Sequence, residues 1–129
     1  MTTDQIEKMD PIQCHLWTLD LSNAPILTDN FDTVEVYKDT FETDADHRER
    51  SLLRCKQCGQ LYFYEWLEWI DWNEGNDPTY STYIPLSSTA SANKLKTLSS
   101  LELLKSVPRI ERNYPADATH ATMRWVKQG

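Results

Sequence analysis

The run Cys55-Lys56-Gln57-Cys58-Gly59 constrains this chain more than any other stretch. Two cysteines spaced by two residues can bring both thiolates to one metal ion. A glycine directly after them accepts the positive φ of a tight turn. The residues that follow, Gln60-Leu61-Tyr62-Phe63-Tyr64, are dense in aromatics and read as an extended strand. Ser51-Leu52-Leu53-Arg54 leads in. The expectation is a hairpin whose tip is a zinc knuckle. The motif supplies only half of a structural zinc site, and the sequence holds no second C-x-x-C.

Structural zinc takes four protein ligands. The remaining cysteine is Cys14, and the histidines are His15, His47 and His120. Cys14 is the expected third ligand. His47, just before the knuckle strand, is the expected fourth. His15 is set aside because Gln13–Leu21 shows some alternation and reads as a strand, where neighbouring side chains point to opposite faces. The plain alternative is three reduced cysteines without metal. A redox role is disfavoured: redox C-x-x-C pairs open a helix, whereas the aromatics after Cys58 favour a strand.

At 129 residues, with 40% hydrophobic and 26% charged residues, the chain suits one domain with a real core. Its net charge of -7 repels phosphate backbones, which argues against nucleic-acid binding; it fits either plain solubility or a basic protein partner. The N-terminal residues carry neither a basic region nor an apolar core, and no apolar run reaches membrane-spanning length. An odd number of cysteines does not suit a secreted disulfide scaffold. A cytoplasmic protein without a membrane partner is expected.

Residues 1–11 read as a poorly packed start. Phe31–Tyr37 is a candidate strand, and the acid-rich 29–50 stretch a solvated loop with strand edges at each end. In Gln60–Trp72, Tyr62, Tyr64, Trp66 and Ile70 share one strand face and Leu61, Phe63, Leu67 and Trp69 the other, while Trp66, Trp69 and Ile70 would also line up on a helix; the aromatic enrichment favours a strand buried on both faces. Asn73–Pro78 is a turn, and Tyr80–Ile84 a returning strand ended by Pro85. Leu95, Leu98, Leu101 and Leu104 recur at helical spacing, Ser99–Glu102 is a capping box, and Pro108 stops the helix. Met123–Val126 is a candidate last strand. The fold class is α+β: an antiparallel sheet centred on a zinc-knuckle hairpin, with one or two C-terminal helices against it.

Eight of the fourteen aromatics fall between Tyr62 and Tyr83, interleaved with five acids and no Lys or Arg. Rings and carboxylates together suit a cationic partner through cation–π contact and arginine pairing. Glu65, Glu68, Trp69, Asp71, Trp72, Glu74 and Asp77 are the expected partner-binding residues. The competing reading makes the rings core and the acids a solvated rim. The 71–77 segment fails as a calcium loop because its glycine is misplaced and Thr82 stands where a glutamate is needed. No nucleophile elbow, phosphate loop, dinucleotide fingerprint or HExxH is present, so no catalytic residue is assigned.

Leu53–Glu65 with its knuckle, Asp71-Trp72-Asn73-Glu74-Gly75-Asn76-Asp77-Pro78, and Tyr83-Ile84-Pro85 resemble small bacterial proteins with a single CxxCG knuckle. Some proteins of that kind resemble immunity proteins encoded beside secreted interbacterial toxins. The likeness covers about a third of the chain, and the knuckle is its specific part. It implies a non-enzymatic cytoplasmic inhibitor that binds a toxin domain. The competing functions are a zinc-ribbon-like structural or regulatory accessory protein and, further off, a zinc enzyme with an open coordination position.

Overall fold

The computed structural model of the chain describes residues 14–21, 28–38 and 47–127. Residues 1–11 lie outside them. Six strands follow one another among the described residues: β1 (Phe31–Tyr37), β2 (His47–Cys55), β3 (Leu61–Glu68), β4 (Thr79–Leu86), β5 (Arg109–Tyr114) and β6 (Thr122–Val126). They form one antiparallel sheet in the order β1-β2-β3-β4-β5-β6. Each strand pairs with its chain neighbour, the arrangement that short reversals favour. Two short helices, α1 (Thr89–Leu95) and α2 (Ser100–Leu103), lie between β4 and β5. The sheet and helices fit the α+β expectation. The helices are not C-terminal, however, because the basic tail returns as β5 and β6.

Both faces of the sheet are covered. Phe31, Leu53, Cys55, Tyr62, Tyr83, Ile110 and Met123 pack on one face with Cys14, Leu16 and Leu21. Leu52, Phe63, Ile84 and Leu86 pack on the other with Ala92, Leu95 and Leu103. Tyr62 and Phe63 are chain neighbours on opposite faces, and both are fully buried. This is why β3 reads as a continuous aromatic run rather than a polar alternation.

The segment from Cys14 to Leu21 is not the expected strand. It is a strap built on a 3-10 turn over His15–Thr18. Trp17 N–H donates to the Cys14 carbonyl at 3.0 Å and Leu19 N–H to that of Leu16 at 3.2 Å. Leu16 and Leu21 therefore point into the sheet without any ladder. The Trp125 indole N–H donates to the Leu16 carbonyl at 2.7 Å, and the rings of Trp17 and Trp125 meet edge to face at 4.8 Å. Both contacts hold the strap against β6.

On the opposite face, the helices dock over a buried ion pair. Arg50 and Glu65 stand directly across β2 and β3. Arg50 Nε and Nη2 each lie 2.7 Å from Glu65 Oε2. The Ser100 hydroxyl donates to the same oxygen at 3.0 Å, and Arg50 Nη1 donates to the Lys96 carbonyl at 3.3 Å. The capping box forms as expected, with the Ser99 hydroxyl accepting from Glu102 N–H and the Glu102 carboxylate from Ser99 N–H. Pro85 does not end β4. The β4–β5 ladder spans Thr79–Tyr83, so the N–H that Pro85 lacks is not needed there. No helix among the described residues is long and apolar enough to cross a membrane.

Candidate metal centre

The turn between β2 and β3 is built by its own backbone. Gly59 N–H donates to the Cys55 carbonyl at 2.9 Å, and Cys55 N–H to the Gln60 carbonyl at 2.8 Å. Gly59 takes φ +81°, the left-handed conformation its sequence position predicts. The Gln60 side chain donates to the Leu86 carbonyl at 2.8 Å, and Lys56 N–H to that of Asn30 at 2.9 Å. These bonds fix the tip of the hairpin against β4 and the start of β1.

The strap brings the other donors. Cys14 is extended (φ −71°, ψ 136°), and His15 opens the 3-10 turn. The backbone changes course between them, so both side chains turn toward one point. One donor atom each from Cys14, His15, Cys55 and Cys58 lies within 4.8 Å of all the others. Cys55 Sγ and His15 Nδ1 are 3.7 Å apart. Zn–S and Zn–N bonds of ordinary length give a sulfur–nitrogen edge of about 3.6 Å in a tetrahedron. The donor set and its spacing therefore fit a metal ion of zinc's size. All three cysteines are free thiols. Cys14 and Cys55 are buried, His15 is half-buried and Cys58 is exposed, so the site opens to solvent on the Cys58 side.

No family model matches the chain, and no curated protein or solved structure matches it either.

His47, the expected fourth ligand, is not in this group. It begins β2, and Cys55 ends it. Eight extended steps at about 3.3 Å each put the two roughly 26 Å apart. His47 Nδ1 instead lies 2.9 Å from Glu68 Oε1 across β2 and β3. The candidate donor set aside by the strand reading is His15, on a rule that holds only within a strand. The available signal was the Cys14-His15 pair itself, two donors in one dipeptide.

The electrostatics of the four residues are uneven. Burial pushes the Cys14 thiol up to about 12, the adjacent thiols adding to the effect and the Tyr62 hydroxyl opposing it. Cys58 is held below its ordinary value. Partial burial works against that direction but is outweighed by the Gln60 backbone, the Cys14 and Cys55 side chains and the His15 backbone. A metal ion entering the site must displace the Cys14 proton, so binding and acidification are linked.

The expected partner surface is mostly committed within the chain. Glu65 is 3% exposed and held by Arg50, so it is unavailable to a partner. Glu68 engages His47, and Trp69 packs edge to face on Tyr80 at 5.6 Å. Asp71 accepts from Asn73 and Glu74 N–H at 3.1 Å each, and Asp77 from Asp71 N–H at 2.7 Å. These two carboxylates build the β3–β4 turn. Trp72, at 81% exposure, and Glu74 project from that turn into solvent.

Proposed function

We propose that Cys14, His15, Cys55 and Cys58 hold one structural Zn²⁺, and that the protein is a non-enzymatic, cytoplasmic protein-binding module of the immunity type. The observation that carries this reading is the clustering of three thiols and one imidazole. Four protein donors complete a tetrahedral zinc shell, the arrangement of structural rather than catalytic sites. Zinc bound there supplies a crosslink: it ties the strap to the hairpin and so closes one face of the sheet. No position is left for a substrate or an activated water, which separates this reading from that of a zinc enzyme.

The binding role is supported by Trp72. A tryptophan that far into solvent on an acidic turn is poor use of an apolar ring, unless a partner covers it. Glu74 beside it and the net charge of -7 favour a basic partner. A zinc-ribbon-like accessory protein would share the metal and differ in what it binds. Protein purified without added metal should carry about one equivalent of zinc, in line with one four-ligand site. X-ray absorption should show three sulfurs and one nitrogen around it. Growth of cells expressing a toxin encoded beside this gene should depend on the chain. Metal-free protein from zinc-replete cells would refute the first half of the reading. Failure to protect against, or bind, any such toxin would refute the second.

A further inference from the structure

Tyr62 lies on β3 between Leu53 of β2 and Pro85 of β4, at 0% exposure. Phe31 packs edge-on against its ring at 5.2 Å. Its hydroxyl is buried without a hydrogen-bond partner among the described residues. A buried hydroxyl in an apolar core is a liability that phenylalanine avoids, and Phe63, the next residue and equally buried, carries none. Tyr62 packs in the same buried cluster as Cys14 and Cys55, and its hydroxyl is within electrostatic reach of the Cys14, Cys55 and Cys58 thiols. A neutral thiol is a weak acceptor. A thiolate is a strong one.

Three thiolates and a neutral imidazole leave Zn²⁺ with a net negative site. Two of its sulfurs, those of Cys14 and Cys55, are removed from water. Charge left on buried sulfur calls for donors, and metal ligands are commonly oriented by groups just outside them. We propose that Tyr62 is a positioning residue of the metal centre, its hydroxyl donating a hydrogen bond to the metal-bound Cys14 thiolate. The bond fixes the direction of that sulfur and draws off part of its charge, lowering its reactivity. This rests on the reading that the four residues hold a metal.

The test compares wild type, Tyr62→Phe and Tyr83→Phe, each loaded with Co²⁺. Tyr83 is a second buried tyrosine on the same face, its hydroxyl influenced by Tyr64 and Arg112 rather than by the sulfurs. Tyr62→Phe should bind cobalt about tenfold to a hundredfold more weakly in competition with a chelator. Its thiolate-to-cobalt charge-transfer band should move to lower energy, and its zinc form should be alkylated faster at Cys14. Tyr83→Phe should change none of these. If Tyr62→Phe matches wild type in affinity and band position, the hydroxyl is no donor and the proposal fails alone. If wild type takes up neither cobalt nor cadmium, the metal reading fails and this proposal with it. A second measurement needs no variant. In the ¹¹³Cd-loaded wild type, the Tyr62 hydroxyl proton should be slow to exchange and should show coupling to cadmium through the sulfur. A freely exchanging or unsplit proton would overturn the proposal even if Tyr62→Phe did not fold.

Discussion

Replacing Glu65 with glutamine keeps the shape of β3 and removes one charge from a pair with side chains 3% exposed on both sides. At the observed 2.7 Å and an effective dielectric of 20, the attraction lost is about 6 kcal/mol. Glutamine still offers an oxygen to Arg50 and Ser100, and Arg50 keeps its bond to the Lys96 carbonyl, so part of that is recovered. A net loss of about 3–5 kcal/mol is expected, the usual range when one partner of a buried pair is removed. A domain of 129 residues has roughly 6–19 kcal/mol of stability in total, so the variant should be folded but clearly weakened. Urea unfolding of the metal-loaded protein is the assay. With a slope of about 2 kcal/mol/M, the midpoint should fall by roughly 2 M without a change in slope. Replacing both residues, Arg50→Met with Glu65→Leu, should recover most of the loss, because no unpaired charge is left inside. The reasoning is refuted if Glu65→Gln costs less than about 1 kcal/mol, or if the double variant is as weak as the single.

Three further outcomes follow from the geometry. Because burial raises the Cys14 thiol from 9.0 to about 12, its contribution to the metal-free fold is complete below pH 9 and is lost as pH climbs toward 12; thermal unfolding across that window should show the decline, and Cys14→Ala should flatten it. A Cβ at Gly59 meets no atom of the described residues within 4 Å, so among them Gly59→Ala is opposed by its φ of +81° alone; calorimetry should show a loss of about 1–2 kcal/mol, and a loss several times larger would mean that the turn itself rearranges. Trp72→Ala should leave stability within about 0.5 kcal/mol of wild type and weaken a partner by about 2 kcal/mol or more; equal binding by titration calorimetry would remove Trp72 from the interface.

What the sequence made legible is local chemistry. The Gly59 turn, the capping box at Ser99 and the strands around Tyr62, Phe31 and Tyr83 each follow from a few adjacent residues. Period-2 reasoning failed where a strand shows too little of its period. β5 and β6 bury Ile110 and Met123 respectively and are otherwise half-buried or exposed, so the basic tail gave almost no signal for β5. It failed in the opposite sense at Cys14–Leu21, where Cys14 and Leu16 imitate alternation on a 3-10 turn. The strand reading carried directly into the choice of donors, since it set His15 aside and favoured His47. Glu65 was misplaced for another reason. A glutamate is rarely buried, and its burial here depends on Arg50, fifteen residues away and directly across the ladder. Register of that kind is not visible until the strands are paired.

The strict chain-order pairing of the strands has a consequence in time. Each hairpin can close from neighbouring residues as it is made, and contacts of that kind form fast. The strap is the exception. Leu16 is held by Trp125, 109 residues further on, so the first described segment of the chain waits for the last strand. During synthesis, Cys55 and Cys58 can share an ion long before Cys14 and His15 have a surface to settle on. The four-donor site is then finished only on a complete sheet, which refolding followed at the Trp125 indole would display as a late step. A metal held by all four donors would thus report that β6 has joined the sheet.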